Sequence, residues 1–255
     1  MATNPEAFRE ERWRSPEYVD WWINDQVREA DRKLLRRKLT FLIPFESEAS
    51  LRVLDVGGGA GGVSMEILTA YPNCTVVCQD FSEAMLGHAR RSLAQFSERV
   101  TFVMSDLRDS TWSQIIDGSF DAVVTCSALH NVPGRIREIY REVFSLVNSG
   151  GCFLNCDLVP PPGPMLARIY LKNRLAAYRA RIKEETGVDK SLEEIEKEWR
   201  ERRSHYAQWP GGTERGFRIS ASVTNHLEWL SQAGFDEVDC LWKDACRTII
   251  GGFKR

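Results

Sequence analysis

From Leu51 onward the chain repeats a single pattern, a short apolar run followed by a helix-length segment, and few architectures accommodate it. The runs are LRVLDV, TVVCQD, VTFVMSD, FDAVVTC and GGCFLNCD, starting at residues 51, 75, 100, 120 and 150. Runs this apolar are buried on both faces, as in a parallel sheet covered by helices on each side. Helices are expected at roughly 62–71, 83–95 and 134–148, with a shorter one near 111–116. The C-terminal runs FDEVDCLWK and ACRTIIGGFK suit an antiparallel hairpin turning around Asp244. The fold class expected is therefore α/β, a doubly wound, mostly parallel seven-stranded sheet ending in an antiparallel hairpin.

Two segments fall outside that pattern. Ser15-Pro16-Glu17 is a helix start, with serine as N-cap and proline where its missing N–H costs nothing. The apolar spacing of Val19, Ile23, Val27, Ala30 and Leu34 extends this helix to about Phe41. Its basic second half reads as a solvated face rather than a nucleic-acid patch. After Asp157 the breaker VPPPGP precedes residues 165–208, which carry 11 Lys/Arg against 8 Asp/Glu. That stretch reads as two amphipathic helices divided near Gly187, with Ser191 capping the second. A single domain 1–255 is expected, comprising a helical cover at 1–45, a core at 46–158, a helical lid insertion at 159–222, and the last helix and hairpin at 223–255.

Composition excludes more than it assigns. A formal net charge of -2 gives no global basic field for a long nucleic acid, so nucleic acid is not expected as a partner. No stretch approaches the ~18 apolar residues of a membrane span, and the polar start lacks a secretory pattern, so a cytoplasmic protein is expected. The seven cysteines include no C-x-x-C pair and mostly lie in strand-like runs, which suits buried reduced thiols and no metal.

The chemistry begins at Leu54-Asp55-Val56-Gly57-Gly58-Gly59-Ala60-Gly61-Gly62, which follows a strand and opens a helix. This is where an open α/β sheet binds a nucleotide-like ligand. Read as G-x-G-x-x-G it fits a dinucleotide, but a pyrophosphate wants bare N–H groups and gains nothing from Asp55. Read as D-x-G-x-G-x-G it places a carboxylate where a cationic ligand fits. The motif resembles the first motif of the class I S-adenosylmethionine-dependent methyltransferases, and that resemblance assigns Asp55, Gly57, Gly58 and Gly59 to the methionyl end.

The rest of the resemblance follows in order. Gln79-Asp80-Phe81-Ser82-Glu83-Ala84-Met85-Leu86 is similar to the family's D-x-S-x-x-M-L, which implies that Asp80 takes the ribose hydroxyls, with Phe81 and Met85 beside it. Met104-Ser105-Asp106-Leu107 matches the position at which Asp106 and the Leu107 N–H meet adenine. Residues 226–253 resemble the family's last helix and terminal hairpin. After the fourth strand, Ser127-Ala128-Leu129-His130-Asn131 falls where the family faces the methyl group, giving Ser127 as a cofactor residue and His130 as a candidate base. Asp157 is a second catalytic candidate, for orienting substrate. Tyr18 and Trp22, near the N-terminus, and Arg168 and Tyr206, in the insertion, are candidates for the acceptor pocket.

The resemblance implies methyl transfer by in-line displacement to a small-molecule acceptor, with S-adenosyl-L-methionine as cofactor. Competing readings are a carboxy-S-adenosylmethionine or tRNA wobble-uridine enzyme, a nicotinamide-dependent oxidoreductase, and a cofactor-binding protein without turnover. The acceptor, its reacting atom and the oligomeric state are not written in the sequence.

Overall fold

The computed structural model describes residues 12–24, 26–207 and 221–255, without the side chains of 26–28, 30, 31 and 202–207. Its centre is one seven-stranded sheet in the order β3-β2-β1-β4-β5-β7-β6. The strands are β1 Arg52–Val56, β2 Thr75–Asp80, β3 Val100–Met104, β4 Phe120–Cys126, β5 Val147–Leu158, β6 Glu237–Asp244 and β7 Arg247–Phe253. The first five pair in parallel, and β7 lies antiparallel between β5 and β6. The order reverses between β1 and β4, the switch point at which sheets of this type open a ligand crevice.

Successive strand residues point to opposite faces, so each strand feeds two cores. On one face Leu54, Val77, Val123 and Phe153 pack with Ile139, Tyr140 and Val143 of the helix Ile136–Leu146 and with Leu230 of Val223–Ala233. On the other, Val53, Val76, Val124 and Leu154 pack with Ile67 and Leu68 of Gly62–Ala70 and with Leu35 and Leu39 of Gln26–Phe41. The doubly wound arrangement expected from the sequence is the one observed.

The N-terminal region departs from expectation. Instead of one helix to Phe41 there are two, α1 (Pro16–Ile23) and α2 (Gln26–Phe41). Ser15 caps the first as expected, its Oγ accepting from Tyr18 N at 3.2 Å, but Asn24 ends it. Asparagine favours local side-chain hydrogen bonds over helix continuation, and a good apolar spacing does not reveal that competition at Asn24. The break also brings the Arg32 guanidinium onto the Trp22 ring, 4.0 Å from its centroid, with a 3.0 Å bond to the Trp22 carbonyl.

The loop-to-helix steps that build the site follow in order: α3 (Gly62–Ala70) after β1, α4 (Glu83–Ser92) after β2 and α5 (Ile136–Leu146) before β5. The short segment expected near 111–116 is a 3-10 turn, Trp112–Ile115.

The insertion forms α6 (Pro164–Thr186) and α7 (Leu192–Ala207), divided at Gly187 with φ +72°. Ser191 caps α7 as read, its Oγ accepting from Glu194 N while Ser191 N donates to Glu194 Oε2 at 2.7 Å. The insertion is tied to the terminal hairpin by Lys243, whose Nζ donates to Tyr170 Oη at 2.8 Å and to the Ala245 carbonyl at 2.6 Å. The last helix, α8 (Val223–Ala233), has a capping box between Ser222 and Asn225 and ends at Gly234. No helix among the described residues is long and apolar enough to cross a membrane.

Candidate active site

The glycine loop between β1 and α3 is held by the strand beside it. Gln79 accepts from Gly57 N at 3.0 Å through its side chain and from Gly58 N at 2.8 Å through its carbonyl. Its amide donates to the Ser105 carbonyl, 2.6 Å away, linking the ends of β1, β2 and β3. Gln79 is buried within an otherwise apolar strand, and that misfit was the sequence signal for a role not assigned to it above. Gly57 and Gly59 have φ of +65° and +56°, and a Cβ at Gly57 would lie 2.4 Å from that of Ala128. The loop therefore tolerates no side chain at Gly57.

Asp55 is fully buried at the floor of this loop. Its Oδ2 accepts from the Ser64 hydroxyl at 2.7 Å and from Ser64 N at 3.1 Å, which fixes the start of α3. Its Oδ1 is buried and has no hydrogen-bond partner among the described residues. Burial pushes the carboxyl up to about 6, against the Ser64 bonds, and the nearby Asp80 charge adds to the rise. A buried carboxylate oxygen left unpaired is costly unless something cationic meets it.

At the next strand end, Asp80 accepts from Gly59 N and Ser82 N, both at 2.9 Å. Burial raises its carboxyl, and these backbone bonds counteract that rise. A carboxylate has about four acceptor positions, so two remain for a diol. Met85, whose N–H donates to Ser82 Oγ, is buried beneath it.

At the third strand end Asp106 is already engaged. Arg108 Nε lies 2.9 and 3.1 Å from its two oxygens and Nη2 2.5 Å from Oδ2, while Arg14 approaches within 3.6 Å. Burial raises the Asp106 carboxyl, but Arg108, followed by Arg14, outweighs it and leaves the group below its ordinary value. Both guanidiniums also stand over the Phe81 ring, at 5.3 and 5.5 Å. Leu107 is buried beside Asp106. An acceptor for an adenine amino group here must share its carboxylate with Arg108.

On the other side of the switch point the chain makes a dyad. His130 Nδ1 lies 2.5 Å from Asp157 Oδ1, and the His130 backbone N–H donates to Asp157 Oδ2 at 2.9 Å. The two side chains are only 7% and 3% exposed. Burial raises the Asp157 carboxyl, and the His130 charge and hydrogen bonds overcome that and hold it below the ordinary value. An ionised carboxylate only accepts, so in this contact Nδ1 is the donor to Asp157. The two residues were read from the sequence as separate candidates; the register pairing Cys126 with Cys156 brings the following loops together. Just before the dyad, Ser127 is exposed and holds φ at 58°, a conformation that costs a non-glycine residue about 1–3 kcal/mol.

The acceptor candidates are scattered. Tyr18 and Trp22 join Trp13 in an aromatic cluster, which Ser82 anchors by donating to the Trp13 carbonyl. They therefore lie at the Asp80 end of the site, against α4. Arg168 is exposed on α6, and the side chain of Tyr206 lies outside the described residues.

Residues 53–151 match a family model described as a methyltransferase domain. That stretch carries the glycine loop, Asp80 and Asp106, so the cofactor half of the site is similar to a methyltransferase domain. The demethylmenaquinone methyltransferase of Clavibacter sepedonicus is 37% identical over 122 residues, 48% of this chain and 47% of the relative. The chain thus spans about half the length of that curated relative in the match. Among solved structures, an O-methyltransferase family protein from Burkholderia thailandensis aligns with a TM-score of 0.63 at 17% identity, over 97% of this chain and 63% of its own. Human N-acetylserotonin methyltransferase, solved with S-adenosylmethionine, aligns with a TM-score of 0.62 at 17% identity, over 99% of this chain and 60% of its own. At these identities the structural likeness establishes the fold.

Proposed function

We propose that this chain transfers a methyl group from S-adenosylmethionine to a hydroxyl of a small molecule, with His130 as the general base. The observation that carries this reading is the buried His130–Asp157 dyad beside a loop built for the cofactor. When bound, the cofactor supplies an electrophilic methyl on a positively charged sulfur. The cradle fits it: Asp55 has an unpaired buried oxygen suited to a cationic methionyl end, the glycines leave room for close approach, and Asp80 has acceptor capacity for the ribose. A base is dispensable for an acceptor without a proton of high pKa, so a buried dyad argues for a phenol or enol hydroxyl. His130 takes that proton at Nε2, while Asp157 orients the ring and stabilises its charged form.

We further propose that α6 and α7 of the insertion, with the N-terminal helices, enclose the acceptor and keep out water. In support, α6 leaves β5 directly after the dyad strand and is held to the hairpin by Lys243. A cytoplasmic setting is proposed on the free thiols. Incubation with methyl-labelled S-adenosylmethionine and a panel of phenols and enols tests the activity. Label is expected in an extractable methyl ether; label confined to amines or to RNA would overturn the acceptor class.

The ionisation of Asp55 gives the cofactor a pH dependence. A cationic methionyl end favours the carboxylate, so the bound pKa is lower than the free value of about 6. The free protein must then lose a proton to bind. Affinity for S-adenosylhomocysteine is expected to rise as pH rises through about 6 and to level off above it. Calorimetry from about pH 5 to about pH 8 checks this, and Asp55→Asn should flatten the profile. An equal slope in the variant would place the titrating group elsewhere.

A further inference from the structure

Where the same loop enters α3, at Gly62, the structure leaves another buried polar atom unpaired. The Arg36 side chain reaches from α2 across the start of α3 and is 17% exposed. Its Nη2 is held by Glu29, but its Nε is buried without a hydrogen-bond partner among the described residues. A guanidinium carries five donors and is never neutral; Arg12 and Arg135 also bury an idle Nε, and Arg36 is the one of the three that does so against the glycine loop.

What lets Arg36 come so close is Gly62. A Cβ there would lie 2.9 Å from Arg36 Cδ, 3.0 Å from Nη1 and 3.1 Å from Nε. Those distances are too short to coexist, so any larger residue would push the guanidinium away from the loop. Gly62 has no positive φ to explain it, unlike Gly57, Gly59 and Gly61. Its smallness is used for the approach of the arginine.

We propose that Arg36 is the counter-ion of the cofactor's α-carboxylate, a positioning role that rests on the cofactor reading above. The methionyl end carries an ammonium and a carboxylate on one carbon, and the loop presents an idle carboxylate oxygen and an idle guanidinium donor around it. Asp55 and Arg36 together match that zwitterion. Glu29 keeps the guanidinium in place without consuming Nε.

The test compares two ligands that differ only in the carboxylate: S-adenosylhomocysteine and its decarboxylated analogue, S-adenosyl-3-thiopropylamine. The native chain is expected to prefer the first by about tenfold or more, the usual scale for a charged hydrogen bond. Arg36→Ala should remove that preference by weakening S-adenosylhomocysteine alone, leaving the amine unchanged. Gly62→Ala, which keeps the arginine but displaces it, should do the same and serves if Arg36→Ala fails to fold. Equal weakening of both ligands by both variants would make Arg36 a packing residue, and a native chain that binds both equally has no carboxylate contact. Either result overturns the proposal while leaving the cofactor in place. A native chain that binds neither ligand overturns the cofactor reading and this proposal with it.

Discussion

Replacing His130 by alanine is expected to lower kcat by about 10²- to 10⁴-fold, the scale of a general base, while S-adenosylhomocysteine binds as before. The ring is buried against Asp157, outside β1 and the glycine loop in sequence, and its removal is expected to spare the cradle. Asp157→Asn should also lower kcat strongly. An asparagine at that place can present an N–H to Nδ1, which favours the proton on Nε2 and removes the base from the side where it is needed. Asp157 also accepts from His130 N and Leu158 N, so this variant needs a thermal-unfolding control. If cofactor affinity collapses in His130→Ala while turnover at saturation survives, His130 supports the cofactor and the proposed chemistry is wrong.

Asp80→Ala is expected to weaken S-adenosylhomocysteine by about 1.5–3 kcal/mol, as for loss of a charged acceptor of two hydroxyl hydrogen bonds. The expectation comes from its place at the end of β2, where the carboxylate already fixes Gly59 and Ser82 and retains acceptor capacity. Because those two bonds shape the loop, part of the loss is loop disorder rather than ribose contact. Asp80→Asn separates the two effects: it keeps the shape, loses the charge, and should fall between alanine and the native residue. Unchanged calorimetric affinity in a folded Asp80→Ala would remove the ribose assignment.

The inner strands β1, β2, β4, β5 and β7 were legible because they are buried on both faces and therefore apolar nearly throughout. The edge strands β3 and β6 are part-exposed and were legible from their apolar residues alone. Asp55, Asp80 and Asp106 stood out as charges ending the runs. What the sequence concealed were relations between distant positions. Nothing local pairs His130 with Asp157; their contact depends on the register of β4 against β5. Nothing local says that Arg14 would approach the Asp106 carboxylate, which Arg108, two residues on, already engages. Arg36 read as one charge in a solvated basic cluster, because its approach to Gly62 depends on how α2 packs over α3. The break at Asn24 was hidden by apolar residues whose spacing continues through it. Aromatic residues near the N-terminus suggested an acceptor pocket, yet Trp13 and Trp22 gather at the Asp80 end of the site.

The most direct test of the account is a calorimetric titration of the native chain with S-adenosylhomocysteine, run beside one with NADH. The loop, with a carboxylate in its floor and no run of bare N–H groups for a pyrophosphate, predicts saturable one-to-one binding of S-adenosylhomocysteine and no heat from NADH. Binding of NADH, or of neither ligand, would contradict it.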